Sequence, residues 1–95
     1  MNKVFESISH PDRRKIIAMV KEAGELSAGD IAKEFDVSKP TISHHLKLLT
    51  SSGLLDREKR KQFVYYRLNL TVFEEVMSFL FDFFSVGEKP QETDS

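Results

Sequence analysis

The chain contains no cysteine. Disulfides, thiolate metal sites and cysteine nucleophiles are therefore excluded. The lack also fits a reducing compartment, so a cytoplasmic location is expected. No long apolar run is present either. The first residues, MNKVFESISHPDRR, have no hydrophobic stretch of the signal-peptide kind. The most apolar window, VFEEVMSFLFDFF, is too short to span a bilayer and carries Glu74, Glu75 and Asp82, so no membrane insertion is expected. There is no glycine-rich phosphate loop and no evident pairing of carboxylates or histidines in a cleft, so an enzyme is disfavoured and no cofactor is implied. Internal repeats are absent.

What remains is one small globular domain. Apolar residues make up 40% and charged residues 31% of 95. A core of this size often completes itself by pairing with a second copy. The net charge of −1 conceals a segregation. Residues 38–67 hold seven Lys/Arg against two Asp/Glu, whereas residues 68–95 hold one against six. A basic middle segment suggests an anion-binding surface, although a solvated basic loop would have the same composition.

Hydrophobic spacing divides the chain. Val4, Phe5 and Ile8 mark a short first helix, broken at His10-Pro11. Ile16, Ile17 and Val20 mark a second, ending at Gly24. Ser27 can cap a third, with Asp30 in its first turn and Ile31, Ala32 and Phe35 on its apolar side. After a short connection Ser38 caps a fourth, SKPTISHHLKLL. Two short helices so joined form the helix-turn-helix pattern. Placed at 100° per residue with Ile42 at 0°, Leu46 falls at roughly 40°, Leu49 at roughly −20°, His45 at roughly −60° and His44 at roughly 200°. His44 therefore points outward and His45 lies at the edge of the core. Adjacent helical residues diverge by about 100°, so the pair is poorly placed to share a metal ion.

The period then changes. LLDREKRKQFVYYRLNL alternates as a hairpin, roughly Leu54–Glu58 out and Gln62–Leu68 back, with Lys59, Arg60 and Lys61 at a tip that lacks the usual glycine. The last helix, with Thr71 as its cap, is apolar on more than one side and needs burial against something besides its own domain. Phe5, Phe73, Met77, Leu80, Phe81 and Phe84 are the candidates for a dimer interface. The polar residues 87–95 read as a disordered acidic tail after a folded domain over 1–86.

The expected fold is thus mainly α with a small β-hairpin, a winged helix-turn-helix in the order α-α-α-α-β-β-α, as a homodimer. Three runs carry a resemblance: SISHPDRRKII, LSAGDIAKEFDVSKPTISHHLKLLTSSGLL and REKRKQFVYYRLN. Together they resemble the ArsR/SmtB family of bacterial transcriptional repressors, and within it the SdpR-like autorepressor branch, over about residues 2–85. The resemblance implies a sequence-specific repressor acting on a palindromic double-stranded DNA operator.

The chemistry of the residues agrees. The early residues of a recognition helix meet base edges in the major groove, here Ser38, Lys39, Thr41, Ser43, His44 and Lys47. Lys59, Arg60 and Lys61 would meet phosphates or the adjacent minor groove. Arg13 and Arg14 are open to two readings, phosphate contacts or a solvated helix face. Many members of the family that the chain resembles sense metals. One of their sites uses Cys-x-Cys where this chain has Ser27 and Gly29. Another uses Asp and His pairs on the last helix, which here has no histidine. No metal site is expected on those grounds. Control would then fall to the repressor's own level, a regulatory protein partner or a small molecule. Two alternatives stay open: a sensor with an unfamiliar site, and a winged-helix protein-interaction module that has lost DNA binding.

Overall fold

The computed structural model describes the backbone of residues 2–92 and the side chains of residues 2–85. Its elements are α1 (Asn2–Ser7), α2 (Pro11–Ala23), β1 (Leu26–Ser27), α3 (Ala28–Ala32), α4 (Lys39–Ser51), β2 (Leu55–Arg60), β3 (Phe63–Leu68) and α5 (Leu70–Glu92). The order is therefore α-α-β-α-α-β-β-α, which corrects the expected order by one strand. The three strands form an antiparallel sheet in the order β1-β3-β2. β1 is only two residues long and exists through its pairing, Leu26 with Tyr66 and Ser27 with Tyr65.

Local chemistry accounts for most helix ends. His10 caps α2, its Nδ1 accepting the Asp12 N–H at 3.0 Å, and Pro11 occupies the first turn. Ser27 caps α3 and Ser38 caps α4 through their hydroxyls. The cap of α5 is Asn69, not Thr71, since Asn69 Oδ1 accepts the Val72 N–H at 3.1 Å. α3 is shorter than expected. After Ala32 the chain passes through turns held by Glu34 N–H to Ile31 and Phe35 N–H to Ala32 carbonyls, and α4 begins only at Lys39. α5 continues past residue 86, so no helix end marks the expected domain boundary. The last residues of the expected tail, 93–95, lie outside the described residues.

The core draws on nearly every element: Val4 from α1, Ile16 and Val20 from α2, Ile31 from α3, Ile42, Leu46 and Leu49 from α4, Leu55 and Tyr66 from the sheet, and Val76 from α5. Each such side chain contributes about 1.5–3 kcal/mol on leaving water. Ser7 ties α1 to the end of α4. Its buried hydroxyl lies 2.7 Å from the Val4 carbonyl, to which it donates, and 3.2 Å from Ser52 Oγ.

The hairpin closes through two residues, Lys61 and Gln62, because Arg60 pairs with Phe63. Lys59 and Arg60 therefore sit in strand β2 rather than at the tip, which corrects that part of the sequence reading. Lys61 adopts φ 58°, a conformation that favours glycine. Gly53, between α4 and β2, has φ 88°. Opposite outcomes are expected at these two positions. Gly53→Ala should destabilise by ~1–2 kcal/mol, the steric cost of a Cβ in this region. Lys61→Gly should hold or raise stability, by up to about 1 kcal/mol, since relieved strain exceeds the added freedom of the unfolded chain. Urea midpoints of the two variants check both signs.

Candidate nucleic-acid interface

Helix α4 separates its side chains as its period requires. Ile42, His45, Leu46 and Leu49 are buried, while Lys39, Thr41, Ser43, His44 and Lys47 are exposed. The N-terminal turn is preorganised. Ser38 Oγ accepts the Thr41 N–H at 3.3 Å and shares a hydrogen bond of 2.8 Å with Thr41 Oγ1. Those two hydroxyls thus have partners within the turn, and Ser43, His44 and the two lysines carry the unengaged polar groups of this face among the described residues.

The sheet presents a second surface. Directly paired strand residues share a face. One face carries Leu55, Arg57, Lys59, Val64, Tyr66 and Leu68. The other carries Asp56, Glu58, Arg60, Phe63, Tyr65 and Arg67. The first face meets α4 across a groove lined by Ser43, Lys47, Thr50, Arg57, Val64 and Tyr66. Arg57 and Lys59 therefore lie on the recognition-helix side. Arg57 was missed in the sequence, although strand alternation counted from a two-residue turn would have found it.

The second face is internally neutralised. Arg60 Nη2 lies 2.6 Å from Glu25 Oε2, and its guanidinium carbon sits 3.8 Å from the centre of the Tyr65 ring. Glu58 lies 3.8 Å from Arg60 and 3.7 Å from Arg67, and Arg67 lies 3.9 Å from Glu25. The Arg60 hydrogen bond, with the charges of Arg60 and Arg67, holds the Glu25 carboxyl below its ordinary pKa. Arg60 thus anchors the wing to the α2–β1 connection.

Behind α4 lies a polar cluster. Arg13 is buried, which removes both of its sequence readings. Its Nε donates to the Ser7 carbonyl, its Nη2 to the Glu6 carbonyl at 3.3 Å, and its Nη1 meets His45 Nδ1 at 3.0 Å. Arg14 donates to the Ile8 carbonyl at 2.7 Å from an exposed position. Arginine can only donate, so Nδ1 of His45 accepts and Nε2 carries the ring proton. That Nε2 is buried, lacks a hydrogen-bond partner and stands 3.9 Å from Asp12 Oδ2. The His10 ring packs on His45 with centroids 4.6 Å apart.

At the position of the absent Cys-x-Cys, the Ser27 hydroxyl accepts the Asp30 N–H, and Gly29 has no side chain. Glu74, Glu75 and Asp82 are exposed on α5. Of the dimer candidates, Phe5, Phe73 and Leu80 pack against the core of their own chain. Met77, Phe81 and Phe84 are exposed, and so are Phe79 and Phe83, which the sequence reading did not include.

These elements define a winged helix-turn-helix. A helix-turn-helix domain family matches residues 8–58. The transcriptional repressor SdpR of Bacillus subtilis is 43% identical over 88 residues, covering 93% of this chain and 97% of its own. The arsenical resistance operon repressor of Escherichia coli is 39% identical over 67 residues, 70% of this chain and 57% of its own. The crystal structure of a possible transcriptional regulator for arsenical resistance superposes with a TM-score of 0.79 at 30% identity, over 100% of this chain and 97% of the other. The chain belongs to the ArsR family of winged-helix transcriptional repressors, a family of DNA-binding regulators rather than enzymes. No helix among the described residues is long and apolar enough to cross a membrane.

Burial first, then the neighbouring His10 ring and the Arg13 guanidinium, push the His45 pKa below its ordinary value, while Asp12 opposes them. The unfolded chain therefore takes up a proton here more readily than the folded one. Stability contributed by neutral His45 is complete above pH about 6.5 and declines as pH falls through that value. Urea unfolding in a chelating buffer should show the midpoint dropping from pH 7.5 to 5.5. His45→Gln should flatten that part of the slope.

Proposed function

We propose that the chain represses transcription as a cytoplasmic homodimer on a palindromic operator, independently of the cysteine and last-helix sensor sites that its sequence lacks. The observation that carries this reading is the common orientation of two surfaces. The exposed polar face of α4 and the cationic face of the wing border one groove. Lys39, Ser43, His44 and Lys47 would read base edges or phosphates in the major groove, with Ser38 and Thr41 setting the first turn. Arg57, Lys59 and Lys61 would follow the backbone into the neighbouring groove. Arg60 acts here chiefly by fixing the wing's angle.

Dimerisation follows from α5. Phe79, Phe81, Phe83 and Phe84 are 46%, 71%, 64% and 64% exposed, more aromatic surface than one helix leaves in water without a partner. A two-fold pairing through α5 would set two recognition helices about 34 Å apart, one turn of DNA. With Ser27 engaged in a cap and Gly29 lacking a donor, release from DNA falls to another signal, such as a protein partner or small molecule.

Binding of purified protein to DNA upstream of its own gene tests the interface. Arg57→Ala should weaken binding to every sequence and lower the salt slope by about one unit. Arg60→Ala should leave the salt slope within a fraction of a unit and act through the wing's stability. His44→Ala should weaken the operator more than random DNA. Equal salt slopes for the two arginine variants would contradict the division of the wing into two faces. Sedimentation equilibrium tests the assembly: the native chain should be dimeric at micromolar concentration, and Phe81→Ser with Phe84→Ser should be monomeric and at least tenfold weaker on the operator. A native chain that stays monomeric would remove the two-fold reading.

A further inference from the structure

We propose that His10, Asp12 and His45 form a divalent-metal site, of the kind zinc occupies, joining the N-terminus of α2 to the recognition helix. The three residues come from two elements, 33 positions apart at their closest, and the fold brings one ligand atom of each within 4.8 Å of the others. Two imidazoles and a carboxylate are a donor set that suits zinc and its neighbours, leaving a fourth position for water. The site has a buried floor and an open side. His45 is buried, Asp12 is half-buried and His10 is exposed.

The feature that points to a ligand is His45 Nε2. It is a buried polar atom without a hydrogen-bond partner, aimed at Asp12 Oδ2 from 3.9 Å. A closed hydrogen bond would bring these atoms to about 3 Å. Bonds of roughly 2.0–2.2 Å to a tetrahedral ion would set ligand atoms roughly 3.4 Å apart. The cluster is therefore slightly wider than its occupied form, and the two residues that must move inward are the two nearest solvent. His10 Nδ1 accepts the Asp12 N–H, so its ring proton is on Nε2. Binding through Nε2 releases that proton to water and takes one from water at Nδ1, so the side-chain cap of α2 is given up on binding.

Binding has a defined consequence for Arg13. In the metal-free ring the proton sits on Nε2, because Nδ1 accepts from Arg13 Nη1. A metal takes the Nε2 lone pair. The ring releases that proton to water and takes one from water at Nδ1, with no net change in charge on the ring. Nδ1 then is a donor facing another donor, and the Arg13–His45 bond breaks. Arg13 keeps its bonds to the Ser7 and Glu6 carbonyls. The recognition helix exchanges one anchor, an arginine, for another, a metal.

The proposal concerns this site alone and is tested without DNA, so its failure leaves the repressor reading untouched. The full chain, stripped with chelator at pH 7.5, is titrated with zinc against a chromophoric competitor. One zinc per chain is expected. Loss of an outer-shell partner alone costs zinc sites tenfold or more, so His10→Ala and Asp12→Asn should each weaken binding by at least about tenfold. His44→Ala should leave it unchanged. Both weakened variants change side chains that reach solvent, and their unfolding midpoints show whether the fold is retained. Nitrogen-15 correlation spectra of the histidine rings give a second readout: the His45 proton should move from Nε2 to Nδ1 at saturation. Absence of zinc binding, binding by His10→Ala and Asp12→Asn as tight as that of the native chain, or a His45 ring that keeps its Nε2 proton would each overturn the proposal.

Discussion

The guanidinium of Arg13 is the contact on which the DNA-facing half of the molecule depends. A cation buried this far needs every donor met and an electrostatic reason to be there. α1 supplies the electrostatic reason and two of the three donor contacts. Its last carbonyls, those of Glu6 and Ser7, lie at the negative end of the helix and receive two of the donors. The third donor goes to His45, in the middle of α4. One side chain thus sets α1, α2 and the recognition helix relative to one another. Apolar packing of Leu46 and Leu49 supplies more of the stability, but packing tolerates small rotations. A fan of hydrogen bonds from a planar group does not, and the angle of α4 decides which side chains reach a groove.

The wing is set by a different balance. Leu55 and Tyr66 must face the core, and a slip of one residue would turn both to solvent. That register forces a two-residue connection and places Lys61 at a positive φ. It also sorts the charges. Arg57 and Lys59 fall on the side of α4, while Arg60 and Arg67 fall opposite, beside Glu25 and Glu58. Exposed ion pairs contribute little to stability individually. Their effect here is on the field: the acidic groups cancel the cations that point away from the groove and leave those that border it.

How much of this was legible in the sequence follows from the kind of interaction involved. The helix-turn-helix was legible because caps and 3.6-residue spacing are local: Ser27, Ser38, Ile42 and Leu46 each announce their role within one turn. The outward His44 and inward His45 came from the same periodicity. The second strand partner, β1, was not legible, because two residues form a strand only when an edge such as Tyr65–Tyr66 is beside them. The buried Arg13 was hidden for a related reason. A cation near a polar loop reads as surface unless the crossing of α1 over α2 is known. The tip was misplaced because a lysine took a conformation that the local signal reserves for glycine. His10, Asp12 and His45 could not be grouped at all, since residues separated by more than thirty positions meet only in the folded chain.

The two histidines of α4 thus divide the work of one helix between its faces. His44 stands in the exposed polar row, beside Ser43 and Lys47. His45 stands behind it, where its tautomer is fixed by a residue that can only donate. Both rings sit on one helix, so the polar cluster behind α4 and its exposed row share a single backbone element. The start of α2 supplies the groups that face His45: its cap His10, then Asp12 and Arg13. The stretch before the recognition helix is here a plain serine cap at Ser27. The buried side of α4 holds the only histidine–carboxylate cluster among the described residues, and it lies beside Arg13, which joins α1, α2 and α4.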